Sequence, residues 1–177
     1  MSSAITRFGK WAASLMVVLV GCNTDTRTEY LHHPTARIET ELSLSRPELR
    51  DFSVDGVVAA PLFRMLTPQT TQVWIKLWTT SGKTVAVKSA LLSGVGAQAS
   101  QSHSFPAEQS TQTDKPATKG VQYGLILLGE LSNEALALLA KDGQAQLAIE
   151  LKVIPAQEYR PLRFAITRHT SKHWATH

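Results

Sequence analysis

Gln144-Ala145-Gln146-Leu147-Ala148-Ile149-Glu150-Leu151-Lys152-Val153 carries the cleanest alternation in the chain. Ala145, Leu147, Ile149, Leu151 and Val153 recur at every second position, with Gln144, Gln146, Glu150 and Lys152 between them. Successive side chains on a strand point to opposite faces, so the first set lies on a core face and the second meets water. A strand wet on one side belongs to an antiparallel sheet.

The pattern extends in both directions. Downstream, Pro155 to Pro161 is a connection, and Leu162, Phe164 and Ile166 then alternate with Arg163 and Thr167 in a last strand. Upstream, Ser132-Asn133-Glu134 supplies an N-cap and a first-turn acid, and the strong helix former Ala135 to Ala140 follows. Lys141 and Gly143 stop it, which predicts one short helix over about 132–142 with Leu136 and Leu139 on a shared face. Val121 to Leu131 reads as a central strand.

Further upstream, Val73, Ile75 and Leu77 alternate with Trp74, Lys76 and Trp78, Thr80-Ser81-Gly82-Lys83 supplies a turn, and Val85 and Val87 continue. A β-hairpin is expected there. Val57 to Phe63 is another strand, entered from a turn at Asp55-Gly56, with Pro61 marking an edge or a bulge. Ser45-Arg46-Pro47-Glu48 fits a capping box, and Arg37 to Leu44 reads as a half-buried strand. Together these predict a mainly β fold: an antiparallel β-sandwich of about seven strands with one short helix, spanning residues 37–168.

Ser93 to Lys119 differs in composition. It is rich in Ser, Gln, Thr, Ala and Gly, with Val95 and Phe105 as its large apolar residues. Burial of so little apolar surface does not offset the entropy of ordering, so a mobile loop over 93–119 is expected. Gly94-Val95-Gly96-Ala97-Gln98-Ala99 formally fits a dinucleotide-binding pattern, but no helical periodicity follows, and a flexible glycine turn is the expectation. The tail, 169–177, places His169, His173 and His177 four residues apart. That spacing would align three imidazoles for zinc or copper only if the tail were helical. The sequence there is a poor helix, and a frayed end with incidental histidines is expected.

At the start of the chain, Arg7 and Lys10 precede an uncharged run from Trp11 to Val20, which suits a secretory signal and is too short to span a bilayer. Gly21 and then Cys22, the chain's one cysteine, close it. Leu19-Val20-Gly21-Cys22 resembles the lipobox of bacterial lipoproteins, over residues 1–22 alone. The resemblance implies a signal peptide of residues 1–21, cleavage after Gly21, and lipid on the Cys22 thiol, a palmitate-type acyl anchor. Asn23, not aspartate, follows; by the family's sorting rule this implies the outer membrane, with the protein on its periplasmic face. Two or three acyl chains hold a protein on a bilayer nearly permanently. Residues 22–36 are then expected to be a lipidated N-terminus and polar tether, with His32 and His33 solvated.

The mature chain has 177 − 21 = 156 residues and a net charge of (18 − 2) − 14 = +2 with histidine neutral. No dense basic cluster supports nucleic-acid binding. No nucleophile-elbow, metalloprotease or P-loop motif appears, and Glu130 and Glu134, the nearest carboxylate pair, sit at a strand–helix junction. The expectation is a non-enzymatic envelope lipoprotein without a cofactor. It would dock on a protein partner in a secretion, conjugation or efflux assembly, through the Ser/Gln-rich loop or an exposed strand edge. The alternative is a ligand- or glycan-binding lipoprotein using Trp74 and Trp78, although aromatics on a strand face more often pack in a core.

Overall fold

The computed structural model describes residues 24–36, 38, 44–106, 108–117 and 120–174. Cys22, Gly21, Asn23 and His177 lie outside them, as does the expected strand at Arg37 to Leu44 except for Leu44 and the fully buried Ile38. The described residues form a β-sandwich of two antiparallel sheets. In the first, β1 (Thr24–Leu31), β11 (Arg160–Trp174), β10 (Gln144–Ile154) and β5 (Thr84–Gly94) lie side by side, and β6 (Ser102–Phe105) and β7 (Gln109–Gln112) share the far side of β5. In the second the order is β2 (Ser53–Val54), β3 (Val57–Thr67), β4 (Thr70–Thr79), β9 (Gln122–Ser132) and β8 (Lys115–Pro116).

The alternation at 144–153 is borne out. Ala145, Leu147, Ile149, Leu151 and Val153 are all buried, in one core with Phe164, Ile166, Val73, Ile75 and Leu77. Helix α1 is the single turn His33–Ala36. The expected helix is α2 (Asn133–Leu139); the Ser132 hydroxyl accepts from the Ala135 amide at 3.1 Å, and Leu136 and Leu139 are buried. It carries the chain from β9 in one sheet to β10 in the other. Asp55 and Gly56 form the two-residue turn between β2 and β3, both with positive φ (47° and 78°), as an Asp-Gly hairpin turn requires.

Four expectations are corrected. The turn at Thr80–Lys83 does not close a hairpin: β4 and β5 belong to different sheets. Both strands turn their aliphatic residues into the shared core, so their alternation specifies the buried face and leaves the hydrogen-bonded neighbour open. The capping box at Ser45–Glu48 is not used. A 3-10 helix spans Pro47–Phe52 instead, with Arg46 at its N-cap and no side-chain cap.

The third correction concerns 93–119. The segment is a strap: β6 and β7 pair with β5, and β8 pairs with the start of β9. Fully buried Thr113 pins the crossing between sheets, its amide donating to the Lys83 carbonyl at 2.8 Å while its hydroxyl accepts from the Lys83 amide at 2.8 Å. Glycine in β9 makes room, since a Cβ on Gly124 would stand 2.7 Å from the Gln112 carbonyl oxygen, and one on Gly129 would stand 3.0 Å from the Phe105 ring. Backbone ladders and two buried anchors order this polar stretch, which needs little apolar surface of its own. Gly96–Gln98 is one 3-10 turn between β5 and β6, and no α-helix follows it.

The fourth correction concerns both ends. Thr24–Leu31 is strand β1, paired antiparallel with Thr167–Trp174 of β11, so neither a tether nor a frayed tail is present at these residues. β10 pairs with β11 only from Arg160 to Thr167. Beyond that point β1 and β11 continue as a two-stranded ribbon.

Candidate functional site

The two flanks of the sandwich differ. The strap closes one. On the other, β2 pairs with β3 only at Val57 and Val58, and no described strand pairs with that side of β3 from Ala59 to Thr67. Between this free edge and the ribbon lies a cleft of about 970 Å³.

Its inner end is plugged. The ring of His32 stands edge-on to Phe52 at 4.4 Å and to Phe164 at 5.2 Å, and its Nδ1 lies 2.9 Å from the Thr35 hydroxyl. His32 is 3% exposed, not solvated as the sequence suggests. Burial, with a smaller contribution from His33, lowers its pKa from 6.5 to about 4.

Beyond the plug, the inward row of β11 runs Leu162, Phe164, Ile166 and then Arg168. The first three are buried core residues, so Arg168 carries a guanidinium onto the same face where the core gives way to the cleft. Its Nε is buried and meets no acceptor among the described residues. Across the ribbon Arg168 pairs with Tyr30, whose ring lies 5.8 Å from Phe63 of β3. Burial raises the Tyr30 pKa, and the Arg168 charge opposes that rise. Ala137 and Asn133 of α2 complete the wall. Asn133 is fixed by accepting from Thr71 at 2.5 Å and donating to the Pro68 carbonyl at 2.8 Å. Along the lip, Leu62, Met65 and Leu66 of β3 are 39%, 57% and 51% exposed.

Of the other residues singled out in the sequence, Trp78 lines this cleft, whereas Trp74, Glu130, Glu134 and His169 do not. Trp78 is buried with Ile38, Leu49, Val58, Ala60 and Val121 in a second core cluster, and Lys76 Nζ stands 4.3 Å from its ring centre. Trp74 is half-buried, its indole N–H donating to Gln72 at 3.2 Å. The two share a face of β4, but Trp78 is not available for stacking on a sugar. His169 and His173 lie on extended β11, their backbones about 13 Å apart along a strand rising about 3.3 Å per residue, and not on the helix that the metal reading needs. Among the described residues no group of three metal-ligating side chains forms. Glu130 accepts from Gln72 at 2.9 Å, and Glu134 is in the first turn of α2.

Arg168 and the free edge of β3 escape a reading of the sequence by segments. The signal for Arg168 is that it continues the row of Leu162, Phe164 and Ile166 by one more step of two.

No protein-family model matches the chain, and no curated protein matches it. Among solved structures it is similar to a protein from Archaeoglobus fulgidus at 13% identity, over 70% of this chain and 98% of that one, with a TM-score of 0.35.

Proposed function

We propose that the chain is a non-enzymatic lipoprotein of the outer membrane, held at its periplasmic face by lipid on Cys22, and that it docks one protein of a cell-envelope assembly. The observation that carries the docking role is the free edge of β3. Native proteins cover or charge such edges, because unpaired strand amides and carbonyls recruit another strand. Here Pro61 blunts one position, and Leu62, Met65 and Leu66 leave apolar side chains exposed on the rest. The occupant that fits is an extended apolar segment, added as a strand, with an acidic residue opposite exposed Arg64. The anchor places that edge near the bilayer: one residue separates Cys22 from the ribbon.

A photo-reactive amino acid installed in turn at 62, 63, 64, 65 and 66 in intact envelopes tests this. Adducts to one protein, strongest at every second position, support strand addition. Adducts without that period, or to lipid alone, overturn it. Mass spectrometry of the N-terminal peptide tests the anchor separately, and an unmodified Cys22 thiol refutes it.

A further inference from the structure

We infer that the cleft under the ribbon binds a single-chain amphiphile with an anionic head, the head on Arg168 and the chain along Tyr30, Phe63 and Ala137. The site is the floor of the cleft rather than its lip, so the inference stands apart from docking at the β3 edge.

Arg168 continues a row of core residues, and its Nε is out of water with no acceptor among the described residues. A desolvated N–H without a partner is costly, and a carboxylate or phosphate oxygen is the partner a guanidinium takes best. Among the described residues no ion pair engages Arg168, and the nearby Arg27 is already matched to Glu29 at 2.9 Å. Tyr30, Pro61, Phe63 and Ala137 give this cation apolar walls, and Lys76 and Trp78 of β4 also line the cleft. With Arg27 matched to Glu29, the cleft of about 970 Å³ keeps a cationic balance from Arg168 and Lys76 beside apolar walls, which suits a ligand that is apolar along its length and anionic at one end. A small hydrophilic anion would leave those walls unfilled. An uncharged chain would leave the guanidinium unmatched. The shared chemistry is a fatty-acid carboxylate or the phosphate of a lysophospholipid.

The test uses the chain from residue 22 with Cys22→Ser, which contains every described strand and bears no attached acyl group. Bound dansylundecanoate is displaced with palmitate, with lysophosphatidylglycerol and with uncharged hexadecanol. The expected result is one saturable site, with palmitate or lysophosphatidylglycerol at least about tenfold tighter than hexadecanol, as a charge-assisted pair gives. Arg168→Met removes that preference and leaves hexadecanol within about twofold, whereas Arg168→Lys keeps part of the preference. Ala137→Trp, which fills the wall without touching the charge, weakens all three, and thermal unfolding verifies that each variant is folded. Tighter binding of palmitate identifies a carboxylate head, and of lysophosphatidylglycerol a phosphate head. Equal affinity for charged and uncharged chains, or binding indifferent to Arg168→Met in a folded variant, overturns the inference.

Discussion

Acid should weaken this fold through His32, and the size of the effect follows from the pocket that holds the ring. The imidazole is packed against Phe52 and Phe164 and is 3% exposed, so the fold binds it neutral and takes its proton only near pH 4. The unfolded chain protonates the same ring near 6.5. Above pH 6.5 neither state is protonated there, and the full stability is present. As pH falls below 6.5 the unfolded chain gains a proton that the fold refuses, so stability falls until the folded ring also protonates near 4, and the contribution then levels off. The gap corresponds to at most about 3 kcal/mol, a large share of the roughly 5–15 kcal/mol of a typical domain. The Thr35 hydroxyl beside Nδ1 can accept from a charged ring, which reduces the loss below that limit. The assay is urea unfolding at half-unit steps from pH 8 to pH 4, for this chain and for His32→Phe. Phenylalanine keeps the aromatic contacts and cannot titrate, so its curve should lie above the parent's at pH 4.5 by about 1–3 kcal/mol more than at pH 8. Curves that run parallel from pH 8 to pH 4 would show that His32 is not held neutral, and with that the buried position of the segment after β1 would fall.

Other outcomes follow from the same contacts. Removing residues 22–31 deletes β1 and strips Tyr30 from the core edge; the urea midpoint should drop by the equivalent of about 2–4 kcal/mol, whereas loss of a tether would leave it unmoved. Gly124→Ala forces a Cβ against the Gln112 carbonyl and should cost about 1–3 kcal/mol, while Gly120→Asn, at positive φ with nothing within 4 Å, should change stability by less than about 1 kcal/mol by the same measurement. Leu66→Asp, on the exposed lip, should leave the midpoint within about 0.5 kcal/mol and abolish the partner adduct in envelopes. Thr113→Val keeps the backbone bond to Lys83 but removes the two that the hydroxyl makes with the Lys83 amide and carbonyl, and should lower stability by about 1–3 kcal/mol, with faster amide exchange confined to the strap.

What was legible in the sequence is the face each strand buries. The rows at 145–153, 162–166 and 73–77 all enter one core, and Ser132 caps the helix it was expected to cap. What was not legible is pairing. Alternation is a property of one strand, so it is silent on whether β5 lies beside β4 or across from it. Polar strands were missed for a related reason. Thr24–Leu31 has few apolar residues, and β1 is held by its ladder to β11 and by Tyr30, Leu31 and His32 at its end. The strap likewise depends on Phe105 and Thr113, two residues in a stretch whose average composition predicts disorder. Averages over a window dilute such anchors, and long-range ladders leave no local trace.

The two flanks of the sandwich explain where function is concentrated. Two sheets stacked face to face have four edges, and each exposes backbone groups that need partners. On the strap side β6, β7 and β8 supply those partners, and β9 carries glycines where they approach. The same chain had an equivalent way to close the other side, because the ribbon runs past β3. Instead no described strand pairs with the outer side of β3 from Ala59 to Thr67, and the inward row of β11 continues into Arg168 rather than a fourth apolar residue. For stability alone, leucine at 168 would extend the core. Arg168→Leu should therefore unfold at the same or higher urea concentration than the parent chain while losing the preference for anionic amphiphiles. A marked destabilisation instead would mean that the guanidinium supports the fold, and the case for a ligand would lose its physical ground.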